Sequence, residues 1–178
     1  LMNTLVGTKV SIVTPKVQTT RSRVRGIAMH DDAQVIFIDT PGIFTPKRRL
    51  DRAMVSAAWQ GASDGDLVVL VHDAARSQID DDTLRILDQL NTNNVRAALV
   101  LNKIDLMDRE KLLERASALS SRAEFSQVFM LSAEKASGTD DFLKWLASQM
   151  PEGPYYFDPE DLSDMPQRLL AAEVLREK

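Results

Sequence analysis

Blocks of apolar residues alternate with amphipathic stretches along most of this sequence, and the period of each block names its element. LMNTLVG has the spacing of the last turns of a helix, with Gly7 as its stop. KVSIVT is β-rich and leads into the polar segment PKVQTTR. RVRGIAMH alternates with period two, Asp31 and Asp32 supply a turn, and QVIFID completes a hairpin. The helical spacing of Met54, Val55, Ala58 and Trp59 predicts a helix from about residue 49 to about residue 61. DLVVLVHD and RAALVLN are continuous apolar runs of the kind buried on both faces of a sheet, and QVFML reads as a third such strand. Helices are expected over DDDTLRILDQL, whose acids occupy its first turn, over about 110–121, and over about 139–150. PEGPYYFDPEDLSDMP carries four prolines and reads as a linker or a surface wrap. The closing QRLLAAEVLREK is again helical and amphipathic.

Strands that alternate with helices imply an α/β fold: a mainly parallel sheet with helices on both faces. The hairpin would add one antiparallel edge strand. Ligands of such sheets lie beyond the carboxyl ends of the strands. Asp39, Asn102 and Ser132 each follow a strand there, so three tips are expected to converge on one crevice.

Composition narrows the class only a little. A chain of 178 residues, 44% hydrophobic and 27% charged, suffices for one well-cored domain. The absence of cysteine rules out a disulfide framework and suits a reducing cytoplasm. A net charge of −4 argues against a nucleic-acid domain within this stretch. No apolar run reaches the length of a membrane span, and no signal peptide is visible. The uncapped helix at Leu1 and the amphipathic pattern broken off at Lys178 predict a piece of a longer protein.

Four short motifs carry candidate chemistry. VIFIDTPGIF places Asp39 at the tip of an apolar strand, where it cannot join the core. Such a carboxylate can hold Mg²⁺ through water, and Gly42 lets a backbone N–H approach a terminal phosphate. NKID, Asn102 to Asp105, also follows a strand. Asp105 can accept two hydrogen bonds from the edge of guanine, from the ring N–H and the exocyclic amine. Adenine would leave that carboxylate unpaired. Lys103 can lay its methylene stem over a base, and Asn102 can tie neighbouring loops together. In QTTR, Thr20 can ligate Mg²⁺ through its hydroxyl and a γ-phosphate through its N–H. In SAEKASG, the backbone of Ser132, Ala133 and Glu134 can reach the guanine oxygen. Each motif alone also reads as turn chemistry or a surface loop, on a par with the functional reading for NKID and ahead of it for QTTR. Their order, one after another at strand ends, is what points to a nucleotide lying across the sheet.

QTTR, DTPG followed by Ile43, NKID and SAEKASG, with LMNTLVGTKVSIVTPKVQTTRSRVRGI and QRLLAAEVLREK, resemble the Era family of bacterial ribosome-assembly GTPases over essentially the whole chain. The resemblance implies a P-loop NTPase-like, Ras-like GTPase domain over residues 1–150, a linker over 151–166, and the start of the first helix of an RNA-binding KH domain over 167–178. It implies GTP or GDP and Mg²⁺ as cofactors, with Thr20 and Asp39 as metal ligands and Thr20, Asp39 and Gly42 around the reacting phosphate. Asn102, Lys103, Asp105, Ser132, Ala133 and Glu134 would hold the base. The implied partners are 16S rRNA and the 30S ribosomal subunit, reached mostly through the KH domain. A cytoplasmic protein without stable homo-oligomers, peripheral to the inner face of the membrane, completes the expectation.

The family's phosphate-binding loop, G-x-x-x-x-G-K-[ST], does not occur in the 178 residues; Gly7-Thr8-Lys9 does not fit it. Without that loop's amides and lysine the chain by itself is expected to bind GTP poorly, while the parent protein binds and hydrolyses it. The same departure supports an alternative reading as a non-hydrolysing scaffold with a degenerate GTPase fold. Ile43 stands where Ras-like enzymes place a catalytic Gln, and an apolar side chain cannot orient water, so slow intrinsic hydrolysis is expected. Arg21, Arg23 and Arg25 share one strand face, read as a solvated edge before an RNA contact. His30 and His72 are isolated and carry no assigned role. Trp59 and Trp145 suit helix faces packed on the sheet. Lys47, Arg48 and Arg49 read as a solvated loop.

Overall fold

The computed structural model describes residues 1–11, 24–40, 59 and 65–164. The segment PKVQTTR, the residues of DTPG after Thr40, the KRR run and the closing helix lie outside them. So does the expected helix around residues 49–61, except for Trp59, which is helical and half-buried. The chain divides into two compact units, Leu1–Asp66 with Leu143–Lys178, and Leu67–Phe142.

The first unit opens with helix α1, Met2–Val6, which Gly7 terminates at φ 78°, a left-handed conformation that costs glycine least. Asn3 fixes the chain that leaves it. Its Oδ1 accepts from the N–H groups of Val10 and Ser11, both at 2.9 Å, and its Nδ2 donates to the Ser11 carbonyl at 2.8 Å. Strands β1, Val24–His30, and β2, Ala33–Asp39, pair antiparallel from Val24 opposite Asp39 to His30 opposite Ala33. Asp31 takes φ 49° in the turn between them, a conformation Asp tolerates better than most residues. Gly26 lets α1 rest directly on β1, because a Cβ there would stand 2.9 Å from Val6 Cγ2 and 3.0 Å from Met2 Cγ. Ile27 is buried on one face of the hairpin, and Ala28 with its cross-strand partner Val35 on the other.

Residues 151–164 have no regular structure of their own and lie along this hairpin. The Ile27 N–H donates to the Leu162 carbonyl at 3.0 Å, and Gly26 bridges Ser163 antiparallel. The Gln34 amide acts as a bracket, accepting from the N–H groups of Tyr156 (2.9 Å) and Phe157 (3.1 Å) and donating to the Phe157 carbonyl (3.0 Å). Tyr155 donates its hydroxyl to the Asp32 carbonyl at 3.1 Å. Arg25 is exposed and pairs with Asp164 at 3.3 Å; Arg21 and Arg23 lie outside the described residues.

The second unit is a three-stranded parallel sheet in the order β3-β4-β5, made of Val68–Asp73, Ala97–Asn102 and Phe125–Leu131. The hairpin of the first unit is the expected antiparallel element, described as a two-stranded sheet. Strand β4 lies in the middle and is buried from Ala97 through Leu101, as its unbroken apolar run predicts. Strand β3 departs from the same expectation. It lies at the end of the described order, and Val71 is 48% exposed on one face while Leu70 and His72 are buried on the other.

Helix α2, Asp81–Thr92, follows β3 and buries Thr83, Leu87 and Leu90. Asp80 caps it, accepting from the Thr83 N–H at 2.8 Å and the Thr83 hydroxyl at 3.0 Å. Burial pushes the Asp80 carboxyl up, but these bonds and Arg76 outweigh it and hold the group below the ordinary carboxylate value. Helix α3, Arg109–Ser120, buries Leu112, Ala116 and Leu119, one face at helical spacing. Helix α4, Thr139–Gln149, begins in this unit, and its Phe142 packs on Phe129 of β5 with ring centroids 4.9 Å apart at 59°.

Candidate functional site

The registers of the parallel sheet set the site. Asp73 pairs in register with Asn102, and Asn102 with Leu131, so the three strands end level. Each chain then turns at the same edge: β3 into Ala74, β4 into NKID, and β5 into Ser132. This is the carboxyl end, where a parallel α/β sheet presents its loops.

Asn102 joins two of these turns. Its Oδ1 accepts from the Lys103 N–H at 2.8 Å and the Ala133 N–H at 3.0 Å. One short side chain thus closes its own turn and clips the β5 turn against it. Lys103 takes φ 67° and ψ 36° and caps a short 3₁₀ turn, Ile104–Leu106. A left-handed non-glycine residue costs about 1–3 kcal/mol and marks a place where the local hydrogen bonds dictate the backbone. Asp105, the middle residue of that turn, presents an exposed carboxylate. The arrangement leaves a carboxylate free to read the edge of a flat base and a lysine stem to cover its face.

The β5 turn is braced from within. Ser132 and Ser137 exchange backbone hydrogen bonds at 3.0 and 3.1 Å, and the buried Ser132 Oγ accepts from the Lys135 N–H at 3.1 Å. Gly138 takes φ 74°, and a Cβ there would stand 3.0 Å from the Met130 carbonyl oxygen, so glycine is required to close the turn. Glu134 is exposed beside Ala133. The structure therefore brings Asn102, Lys103, Asp105, Ser132, Ala133 and Glu134 together within one unit.

Asp39 ends β2 in the other unit, half-buried, and its Oδ2 accepts from the Ser11 hydroxyl at 3.3 Å. Thr20 and Gly42 lie outside the described residues. Among the described residues no group of three His, Cys, Asp or Glu side chains could hold a metal ion. Asp39 and the hydroxyl of Thr20 are hard oxygen donors of the type Mg²⁺ takes, and Mg²⁺ needs few protein ligands because it keeps much of its water.

Asp73, which the sequence pattern did not single out, stands beside the NKID turn. Its Oδ2 lies 2.7 Å from Lys103 Nζ, and its Oδ1 accepts from the Ala75 N–H at 3.1 Å. The signal was present, a carboxylate at the tip of an apolar strand, the same pattern that singled out Asp39. His72 was also misjudged as isolated. It is buried, and Arg115, Asp80, Arg76 and Asp73 all act on it. Burial pushes its imidazole below the ordinary value, and Arg115 adds to the effect against Asp80.

A pH dependence follows from His72. The unfolded imidazole takes up its proton near pH 6.5, and the folded one only at lower pH, so the unfolded chain binds more protons in between. Stability is therefore undiminished by this group above about pH 6.5 and falls as pH drops through that value toward the folded pKa. We expect thermal melts between pH 7.5 and 5.5 to show this loss, and a His72→Asn variant to show less of it. A His72 resonance titrating at or above the ordinary histidine value by NMR would contradict this.

The alternating strands and helices, with turns of this kind at the strand ends, define the G-domain fold of the P-loop GTPases. The family model described as 50S ribosome-binding GTPase matches residues 1–103, more than half of the chain, and the chain belongs to that family. Over its whole length it is homologous to proteins named GTPase Era. It is 53% identical to that of Sinorhizobium medicae over 178 residues, covering 57% of the relative, and 51% identical to that of Agrobacterium fabrum, covering 56%. The chain thus spans little more than half the length of these relatives. Among solved structures, Era in complex with MgGDPNP and nucleotides 1506–1542 of 16S ribosomal RNA superposes with a TM-score of 0.89 at 35% identity, over 99% of this chain and 60% of that one. Aquifex aeolicus Era bound to GDP and AlF4− gives 0.88 at 35% identity, over the same shares. The FeoB G domain of Methanococcus jannaschii, 23% identical with a TM-score of 0.54 over 83% of this chain and 86% of that one, shares the fold alone.

Proposed function

We propose that the protein is a GTP-binding and GTP-hydrolysing switch that acts in assembly and maturation of the small ribosomal subunit, on 16S rRNA. The observation that carries this reading is the Asn102 side chain, which holds the NKID turn and the Ser132–Gly138 turn together at one sheet edge. Asp105 then reads the guanine edge, Lys103 covers the face of the base, and the turn at Ser132, Ala133 and Glu134 closes over the guanine oxygen. Asp39 and Thr20 hold Mg²⁺, with Gly42 beside the terminal phosphate. Bound Mg²⁺ supplies charge neutralisation at the β- and γ-phosphates. This chain's residues bind and orient the nucleotide; adenine is refused because it would leave the Asp105 carboxylate without donors.

Two relatives with MgGDPNP or GDP bound support the nucleotide assignment. The family description names the large subunit, whereas the well-superposed relative carries 16S rRNA nucleotides, so the small subunit is the better-supported target. Residues 1–150 act as the GTPase domain, 151–166 as a linker, and 167–178 as the opening of a KH domain. No described helix is long and apolar enough to cross a membrane. The proposal includes a cytoplasmic monomer with peripheral attachment to the inner face of the membrane.

The test is a titration of the full-length protein with ribose-labelled fluorescent GDP in Mg²⁺, chased with unlabelled GDP or ATP. Displacement by GDP and not by ATP is the expected result. Equal displacement by both would overturn the guanine reading of Asp105, and no binding would overturn the switch and favour a nucleotide-independent scaffold.

A further inference from the structure

Lys103 is a flexible side chain in a position that asks for a rigid one. Its methylene stem can cover a base only if the ammonium is held away from the base plane, and a free lysine would lose much of its rotamer freedom on each binding event. The structure supplies the restraint. Asp73 Oδ2 lies 2.7 Å from Lys103 Nζ, across two strands whose last residues, Asp73 and Asn102, stand level.

Asp73 is itself held. Its second carboxylate oxygen accepts from the Ala75 N–H at 3.1 Å, and the next residue, Ala74, donates its N–H to the Asn102 carbonyl at 2.9 Å. The carboxylate is therefore anchored to the same strand end that carries the lysine. Lys103 approaches from a left-handed backbone fixed by the Asn102 side chain. Both ends of the lysine are thus set before any ligand arrives.

Stability does not account for the pair. The Lys103 side chain is 52% exposed and that of Asp73 29%, and an ion pair in so much solvent contributes little to folding. What the pair adds is direction: it restricts a side chain that would otherwise be ordered at the expense of binding.

We propose that Asp73 is a positioning residue for the nucleotide site: it anchors the ammonium of Lys103 so that the stem forms a fixed wall against one face of a flat purine base. The proposal rests on the reading of Asn102 to Asp105 as a guanine site. It concerns the face of the base and not its edge. Asp73 therefore governs how long any purine nucleotide stays bound, while Asp105 governs which purine is accepted.

Full-length wild type, Asp73→Asn, Lys103→Met and the double variant are compared in dissociation of ribose-labelled fluorescent GDP and its inosine counterpart. Asp73→Asn keeps an oxygen acceptor for the Ala75 N–H and removes only the charge that holds Lys103, and thermal melts check that the fold is kept. We expect Asp73→Asn to dissociate GDP on the order of tenfold faster, equivalent to about 1.4 kcal/mol, with the ratio of GDP to IDP affinity unchanged. Adding Asp73→Asn to Lys103→Met should have no further effect, since the interaction partner is already gone. Unchanged dissociation in Asp73→Asn, or an equal effect in the Lys103→Met background, would overturn the assignment while wild-type GDP binding left the guanine site standing. Failure of the wild type to bind GDP would overturn both.

Discussion

Replacing Asp105 by Asn in the full-length protein is expected to lower GDP affinity by about two to four orders of magnitude and to reverse the preference between guanine and xanthine nucleotides. The magnitude comes from what the base presents. Guanine offers two donors along one edge, the ring N–H and the exocyclic amine, and a carboxylate accepts both through charge-assisted bonds worth about 1.5–3 kcal/mol each. Asparagine accepts one and turns an NH₂ group toward the other donor, so one bond becomes a repulsion. Xanthine carries a carbonyl in place of the amine and accepts from that NH₂. Folding should barely change, because Asp105 is exposed in the 3₁₀ turn and a surface substitution of this kind stays within about 0.5 kcal/mol. Competition titrations with GDP, XDP and ATP decide it. An Asp105→Asn protein that kept wild-type GDP affinity and discrimination would remove Asp105 from the site.

Much of this site was legible because its parts are local. The NKID turn follows an apolar strand in sequence, and the strand, the turn and the carboxylate lie within nine residues of one another in a run that anyone can read. Helix α1 with its Gly7 stop, the hairpin turn at Asp31, and β4 with its unbroken apolar run were legible for the same reason. What could not be read was set by neighbours distant in the chain. The Gln34 amide brackets Tyr156 and Phe157 across 123 residues for the latter, and nothing in the local pattern of either segment announces it. His72 looked like one polar residue in an apolar strand. Its buried surroundings arise only when Arg115 on α3 and Asp80 before α2 fold over it. Val71 shows the limit of periodicity: an unbroken apolar run cannot say whether both faces of its strand will be covered, and on β3 one is not among the described residues. Asp73 was readable in principle, but its meaning depends on Lys103, 30 residues later, which only the parallel register brings alongside.

The largest effect on stability is expected from Phe142→Ala, at about 3–5 kcal/mol. Phe142 is 1% exposed and sits in the first turns of α4, and its ring meets that of Phe129 on β5. Truncation removes the transfer free energy of the ring, its aromatic contact, and leaves a cavity that the rigid strand β5 cannot close by moving. Domains of this size have about 5–15 kcal/mol in total, so the variant stands near the threshold of unfolding. The consequence reaches the candidate site through the sheet. β5 delivers Ser132 to the turn that Asn102 clips through the Ala133 N–H, and Gly138 joins that turn to α4 with no room for a side chain. Loosening α4 on β5 should therefore weaken nucleotide binding even at temperatures where the variant remains folded. Tyr156→Ala is the contrasting control, because that ring is 83% exposed and its position is held by its backbone N–H. Urea unfolding should give a midpoint much reduced for Phe142→Ala and nearly unchanged for Tyr156→Ala. A loss below about 1.5 kcal/mol for Phe142→Ala, the range of a well-accommodated core change, would mean that β5 does not depend on α4 for its place, and that the Ser132 turn is held by its own hydrogen bonds and the Asn102 clip.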